Sequence, residues 1–394
     1  MSAAAARKLS DVVIASAVRT PVGCFRGSLS KLSASDLGAV AIRGAVQKSG
    51  IDPAHVKEVY MGNVLQAAQG QAPTTQALIK AGLSESTPAT TINKVCASGM
   101  KAVMLAAQNI QLGIQSAMVA GGMESMSNVP YYAPRAKDYG HAELSDGIIK
   151  DGLWDVYNNF HMGNCAENTA RKHSITREMQ DAHAIMSYKR AAAAWESGVF
   201  AEEVLPVTVK TRKGDQLVSI DEEFTNVKFD KIPALRPVFE KNGSVTAANA
   251  STLNDGASAL LLVAADKASE LGVKPLARIV SYADAATLPI DFPIAPSLAV
   301  PIALERAGLA IKDIALWEFN EAFSVVARAN EKILGLDPET VNIAGGAVSL
   351  GHPIGSSGSR IIVTLTHLLK PGQFGCASIC NGGGGASAIV IQKL

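Results

Sequence analysis

The chain has 394 residues, enough for two or three domains that each bury their own core. Apolar residues make up 48% and charged residues 18%, and with a net charge of +1 nothing argues for a nucleic-acid surface or an acidic polymer as partner. The longest apolar runs, such as ALLLVAA from Ala259, fall far short of the ~20 residues that a membrane span needs.

No secretory signal stands at the start. MSAAAARKLS, with Arg7 and Lys8, is too short to read as a transit peptide, although it fits the stub left when one is removed. The five cysteines, Cys24, Cys96, Cys165, Cys376 and Cys380, are odd in number and show no framework spacing, which points to a reducing compartment. No CxxC pair or His/Cys cluster reads as a zinc site.

Along the chain, DVVIASAVRT reads as a buried strand and ASDLGAVAIRGAVQKSG as a helix stopped at Gly50, with a strand following in EVYMGN. TINKVCASGMKAV then sets Cys96 just ahead of a small turn that opens an apolar helix. The free N–H groups of a helix start favour a thiolate, so this position suits a nucleophile. SAMVAGGMES is a further strand. Residues 125–251 are less regular and rich in turns, His, Asn, Tyr and Lys, as an inserted substrate-binding lobe would be. STLNDGASALLLVAADKA returns to strand and completes the first sheet. LARIVSYADA (strand), LAVPIALERAGL (helix, stopped at Gly308) and WEFNEAF (strand end, with Asn320) follow. GGAVSLGHPIGSSGSRIIV is a turn and helix carrying His352, and CASICNGGGGAS is a strand and turn carrying Cys380.

This order repeats. Gly50 and Gly308, Gly99 and Gly358, and Ala120 and Cys380 stand 258, 259 and 260 residues apart, so the chain holds two copies of one architecture. Strands alternating with helices make it α/β with buried sheets. The expected division is 1–124 with 252–275 for the first half, 125–251 for the inserted lobe, and 276–394 for the second half. The repeat superposes His352 near Cys96. Taken singly, His352 reads as a turn histidine, Asn320 as a turn cap and Cys380 as a small buried hydrophobe.

NKVCASGMKA, NEAF, GGAVSLGHPIGSSG and CNGGGGAS, in that order and over essentially the whole chain, resemble the signatures of the thiolases. Within them they are most similar to the short-chain, acetoacetyl-CoA-forming branch, its animal mitochondrial members above all. The resemblance implies a five-layered αβαβα fold from two similar halves with an inserted loop domain. It also implies reversible Claisen condensation of two acetyl-CoA to acetoacetyl-CoA and CoA through an acetyl-cysteine. On that pattern Cys96 is the nucleophile, His352 its base, and Cys380 the base at the methyl of the second acetyl-CoA. His352 with a water held by Asn320 forms one oxyanion hole, and the N–H groups of Cys96 and Gly382 form the other, a side chain at 382 being expected to crowd it.

By the same resemblance His161, Tyr188, Asn226, Val227, Lys228, Lys231 and Ser251 contact CoA, although the lysines alone read as a solvated face. Met162, Phe292, Pro293 and Phe323 border the acyl pocket. Potassium is implied at Tyr188 and the carbonyls of Ala247, Ala248, Ala250 and Val348. The chemistry needs no cofactor beyond CoA as substrate and product. Arg135 and Lys137 fall in a tetramerisation loop, so a homotetramer is implied, with no nucleic-acid or membrane partner. The mitochondrial matrix is implied as location, with the cytoplasm as the alternative. Ketoacyl synthases are disfavoured, since they use His or Asn where Cys380 stands. A broader-chain 3-ketoacyl-CoA thiolase and a silent lipid carrier stay open, the carrier predicting loss of Cys96, His352 or Cys380.

Overall fold

The computed structural model describes residues 9–135, 139 and 141–394, so Lys137 lies outside the described residues. Strand β1 (Val12–Arg19) is buried at every position, as a strand covered on both faces must be. On one side the sheet continues through β2 (Glu58–Gly62), β3 (Ala89–Ile92), β4 (Ala117–Ser125) and β5 (Asn254–Ala264). On the other it continues through β6 (Ala277–Ala286), β7 (Ile314–Phe319), β8 (Phe374–Asn381) and β9 (Gly385–Lys393). The spatial order is β7-β8-β9-β6-β1-β5-β4-β2-β3.

The repeat reappears as a repeat of strand pairing. In the first half β2 lies parallel to β4, β4 antiparallel to β5, and β5 antiparallel to β1. In the second half β7 lies parallel to β8, β8 antiparallel to β9, and β9 antiparallel to β6. The two halves join through only three residue pairs, Val12 with Ile279, Val13 with Arg278 and Ile14 with Ala277.

Helices form three layers around these sheets. α1 (Ala34–Ser49), started by a capping box of Ser33 and Asp36 and ended at Gly50, packs with α2 (Pro73–Ala81) on one outer face. Their core joins Leu37 and Ile42 to Val13, Leu261 and Val263. α6 (Pro296–Ala307), ended at Gly308, covers the other outer face, with Ala299 and Val300 against Ala388 and Val390. Between the halves lie α3 (Ser98–Gln111) and α9 (Ile354–Leu368), whose Met100, Val103, Ile361 and Leu365 share one core with Val12, Leu260 and Ile389. The result is the αβαβα sandwich.

α9 is buried from Ile354 through Thr366 and has no solvated face. Its serines are satisfied internally, Ser258 Oγ lying 2.9 Å from Ser356 Oγ and 2.6 Å from Ser359 Oγ. α3 and α9 cross where the repeat-related glycines meet. A Cβ on Gly99 would lie 2.6 Å from Ser359 Oγ, and one on Gly358 would lie 2.6 Å from Met100 N. Only bare backbone permits that approach.

The stretch expected to be irregular holds two regular helices, α4 (Met162–His173) and α5 (Arg177–Glu196). The buried side of α5 mixes the small Ala184, Ser187, Ala191 and Ala194 with Gln180, Asp181, His183 and Tyr188, so no stripe of large apolar residues marks it in the sequence. Two short helices complete the set, α7 (Ser324–Leu334) and α8 (Ala347–Leu350).

Candidate active site

Cys96 sits in the turn that leads into α3. Val95, just before it, has φ 48°, a left-handed conformation that a β-branched residue rarely takes. Three hydrogen bonds hold it there. Asn93 Oδ1 accepts the Val95 N–H at 2.9 Å, and the Val95 carbonyl accepts the Ser98 N–H at 3.0 Å and the Ser98 hydroxyl at 2.6 Å. Cys96, 8% exposed, lies on the wall of a cavity of about 340 Å³.

The helix start does not make a resting thiolate, contrary to the expectation from sequence. Burial pushes the thiol up to about 11, and the N–H groups of Gly382 and Cys96 that donate to the sulfur only moderate the rise. The thiol therefore needs a base.

His352 reaches the same cavity from the turn between α8 and α9. Its backbone N–H donates to Asn254 Oδ1 at 2.8 Å, and its Nδ1 lies 2.6 Å from Ser357 Oγ. Ser357 gives its one hydroxyl hydrogen to the Pro353 carbonyl at 3.0 Å, so it accepts from Nδ1–H and leaves Nε2 with a lone pair. Burial first, and the nearby Arg360 second, lower the imidazole to about 3, so it is neutral at physiological pH. Asn320 Nδ2 stands 3.5 Å from Nε2, the outer limit of a hydrogen bond, and Asn320 Oδ1 has no hydrogen-bond partner among the described residues.

Cys380, in β8, is fully buried in an apolar cluster with Met162, Phe292 and Phe323 and does not line the cavity. Burial, and then the neighbouring Cys96, push its thiol well above the ordinary cysteine range. At Gly382 a Cβ would meet the Met162 methyl at 3.3 Å and Val95 at 3.6 Å. The crowding expected there falls on Met162 first.

Met162, Phe292, Phe323, His161 and Ser251 line the cavity, but Pro293 does not. Pro293 is buried behind the wall, where its carbonyl accepts Asn330 Nδ2 at 2.8 Å. Phe239, which the sequence did not single out, stacks on His161 at 4.7 Å and meets Phe323 edge-on at 6.2 Å. A second cavity of about 420 Å³ shares Val238, Phe239 and residues 250–253 with the first and extends to Cys24, Glu223 and Ala247. Asn226, exposed, donates to Cys24 Sγ at 3.4 Å beside it, while Lys228 and Lys231 are solvated. Tyr188 is buried on α5 against Ala184 and Val348, with Val227 packed over them. Buried Glu124 was also missed. It accepts the N–H groups of Val64, Leu65 and Gly355 and so fixes the start of α9.

Two family descriptions match this chain, "Thiolase, N-terminal domain" over residues 12–266 and "Thiolase, C-terminal domain" over residues 273–393. The chain belongs to the thiolase family. This thiolase is 64% identical over 388 residues to a mitochondrial acetyl-CoA acetyltransferase of Danio rerio, covering 98% of this chain and 92% of the relative. It is 63% identical over 390 residues to the Homo sapiens protein of the same name, covering 98% and 91%. Among solved structures, a thiolase of Ascaris suum in complex with coenzyme A matches at TM-score 0.94 and 48% identity, covering 98% of this chain and all of that one. An acetyl-CoA acetyltransferase of Bacillus anthracis matches at TM-score 0.95 and 39% identity, covering 99% and 100%. In this thiolase, then, Cys96, His352, Asn320 and Gly382 converge from four separate segments, and Cys380 packs beside Cys96. Exposed Arg135 takes no part in the site.

Proposed function

We infer that this thiolase is an acetyl-CoA C-acetyltransferase, joining two acetyl-CoA into acetoacetyl-CoA and CoA and running the reverse thiolysis, in mitochondria as its relatives' names say. One observation carries the chemistry: a protonated Cys96 and a neutral His352 share one apolar cavity, with the Gly382 N–H aimed at the sulfur. His352 Nε2 takes the Cys96 proton as sulfur attacks the thioester carbonyl, and the N–H groups of Cys96 and Gly382 receive the oxyanion. The carbon–sulfur bond to CoA breaks, and His352 returns the proton to the departing thiolate.

Once acetylated, Cys96 can no longer become a thiolate that would oppose ionisation of Cys380. Cys380 then passes its proton to His352 and, as a thiolate, takes a proton from the methyl of the second acetyl-CoA. The enolate oxygen faces His352 and a water held by Asn320. Carbon attacks the acetyl-cysteine, acetoacetyl-CoA leaves, and Cys96 recovers its proton from His352. The high proton affinity of Cys380 suits it to a carbon acid. CoA runs through the two joined cavities past His161, Phe239 and Ser251, with the adenine end toward Asn226, Val227, Lys228 and Lys231.

A steady-state comparison tests both the reaction and its range. Acetoacetyl-CoA should be cleaved, 2-methylacetoacetyl-CoA at a comparable rate and longer 3-ketoacyl-CoA poorly. One methyl in an apolar pocket such as that beside Phe292 changes binding by only about 1–3 kcal/mol. Loss of the 2-methyl substrate by many orders of magnitude contradicts the range, and no cleavage of any of the three contradicts the function. The broader-chain thiolase is not favoured by the relatives' names, and the silent carrier is disfavoured by an intact Cys96, His352 and Cys380.

Potassium fits between the CoA channel and α5. Tyr188 and Val348 pack together, Ala247 and Ala250 border the adjoining cavity with Glu223, and the carboxylates of Glu223 and Glu321 both act on Tyr188. A phenol and the carbonyls of Ala247, Ala248, Ala250 and Val348 are oxygen donors without soft ligands, in a negative setting, as a hard cation requires. Potassium is expected to raise activity and melting temperature relative to sodium, and Tyr188→Phe to shrink both responses; equal values in the two salts contradict this. Self-association into a tetramer is supported by Tyr131, Tyr139, Leu144, Val156 and Tyr157, all exposed within one stretch of the lobe that also holds Arg135.

A further inference from the structure

Glu321 follows Asn320 in the turn between β7 and α7, is fully buried, and does not line the cavity. The mechanism above gives it no step. Its carboxylate nonetheless gathers partners from three distant segments. Oε2 accepts the Ser187 hydroxyl of α5 at 2.8 Å and the Val348 N–H of α8 at 3.2 Å. Oε1 accepts Asn342 Nδ2–H at 2.7 Å and lies 3.1 Å from His183 Nε2. Asn342 is itself bonded to both backbone groups of Phe319, the residue before Asn320, at 2.8 Å each.

The space around the carboxylate is closed, since a Cβ on Gly346 would lie 2.2 Å from its carboxyl carbon. Burial works to raise this carboxyl, yet the nearby His183 and the hydrogen bonds from Asn342 and Ser187 hold it below the ordinary glutamate value. His352 has anchors of its own in Asn254 and Ser357. Asn320 has few: its backbone N–H reaches the Ser378 carbonyl at 3.0 Å, its carbonyl accepts the Ala322 N–H at 3.1 Å, and among the described residues its amide reaches only His352.

We propose that Glu321 is a positioning residue, a buried clamp that holds the turn bearing Asn320 at a fixed distance from His352. The inference rests on the thiolase reading of the site. An oxyanion hole works by donors already in place, so a loosened Asn320 weakens stabilisation of the enolate while leaving every group that touches acyl-CoA present. Glu321→Gln keeps the volume but turns an NH₂ either toward the Asn342 amide or toward the Ser187 hydroxyl and the Val348 N–H, groups that donate to the carboxylate, so one side of the clamp must release.

The test measures condensation and Cys96 acetylation separately in wild type, Glu321→Gln and His183→Gln. Glu321→Gln should lower kcat for condensation by about 10–100-fold, as expected for an oxyanion donor displaced rather than removed. KM for acetyl-CoA should stay within about twofold, and mass spectrometry should show Cys96 acetylated at near the wild-type rate, because that step uses the N–H groups of Cys96 and Gly382. His183→Gln removes one partner of the clamp and should show the same split at smaller size. If Glu321→Gln does not fold, His183→Gln decides by the same criterion. Unchanged kcat in the folded variants, or acetylation falling in step with condensation, overturns the clamp. A wild type that neither acetylates nor turns over overturns the thiolase reading instead, and the wild-type arm tells the two failures apart.

Discussion

Cys96→Ala is expected to lose both labelling by acetyl-CoA and turnover, whereas Cys380→Ala keeps the first and loses the second. Cys96 is the thiol on the cavity wall, with the Gly382 N–H directed at its sulfur, and its removal takes away the atom that carries the acetyl group. Cys380 packs beside Cys96 among Met162, Phe292 and Phe323, three side chains that line the cavity. Acetyl transfer to Cys96 needs no proton from carbon, so the Cys380→Ala protein should still gain one acetyl group in intact-protein mass spectrometry. Condensation needs a carbanion from a weak carbon acid, and loss of a general base typically costs about 10²–10⁴-fold. The alanine leaves a small void in a packed cluster, so a melting temperature near wild type is needed to separate chemistry from folding. Acetyl found elsewhere on Cys96→Ala, with turnover retained, would show that the two roles are wrongly assigned.

His352→Gln should be crippled in both half-reactions and, unlike the cysteine variants, should change how stability depends on pH. Its Nε2 is the acceptor for the Cys96 proton and a donor to the enolate, so a loss of at least about 10³-fold is expected in acetylation as well as condensation. The stability effect follows from burial. The folded protein holds His352 neutral down to about pH 3, while the unfolded chain protonates it near the ordinary histidine value of 6.5. Between those values the unfolded state binds the extra proton. The stability that the neutral ring contributes is therefore complete above pH 6.5 and is lost progressively as pH falls toward 3.

One such proton is worth about 1.4 kcal/mol per pH unit. Glu124, raised to about 7 by burial, works in the opposite direction over part of this range, but it is common to both proteins. The difference between wild type and His352→Gln, from denaturant melts at pH 6.5, 5.5 and 5, isolates the histidine. The wild type should lose stability relative to the variant on acidification, and parallel curves would show that the ring is protonated in the fold.

What could be read from the sequence was whatever is local or repeated. The glycine stops at Gly50 and Gly308, the turn before α3 and the four motif stretches are contiguous, and the repeat alone placed His352 near Cys96. What could not be read depends on distant partners. Glu321 stands in the quoted NEAF, yet Ser187, Asn342, Val348 and His183, which give it a purpose, are scattered over 166 residues of chain. Phe239 lies in a turn-rich segment with no periodicity and acquires meaning only by stacking on His161. The protonation state of Cys96 was misjudged for a related reason. A helix start is visible in the letters, but the burial that outweighs it belongs to the assembled halves. α5 was hidden by its own smallness, since alanines and serines pack closely without drawing a hydrophobic stripe.

The crossing of α3 and α9 at Gly99 and Gly358 ties each half of the repeat to the other. Each sheet has one face that only this shared middle pair can cover, so a single half cut free would expose Leu260 and Leu262, or Ile389 and Ile391, to water. The two halves are thus indispensable lining for one another. Because the interior is shared, the two equivalent helix starts carry different chemistry, a sulfur before one and an imidazole before the other, over a core that neither half holds alone.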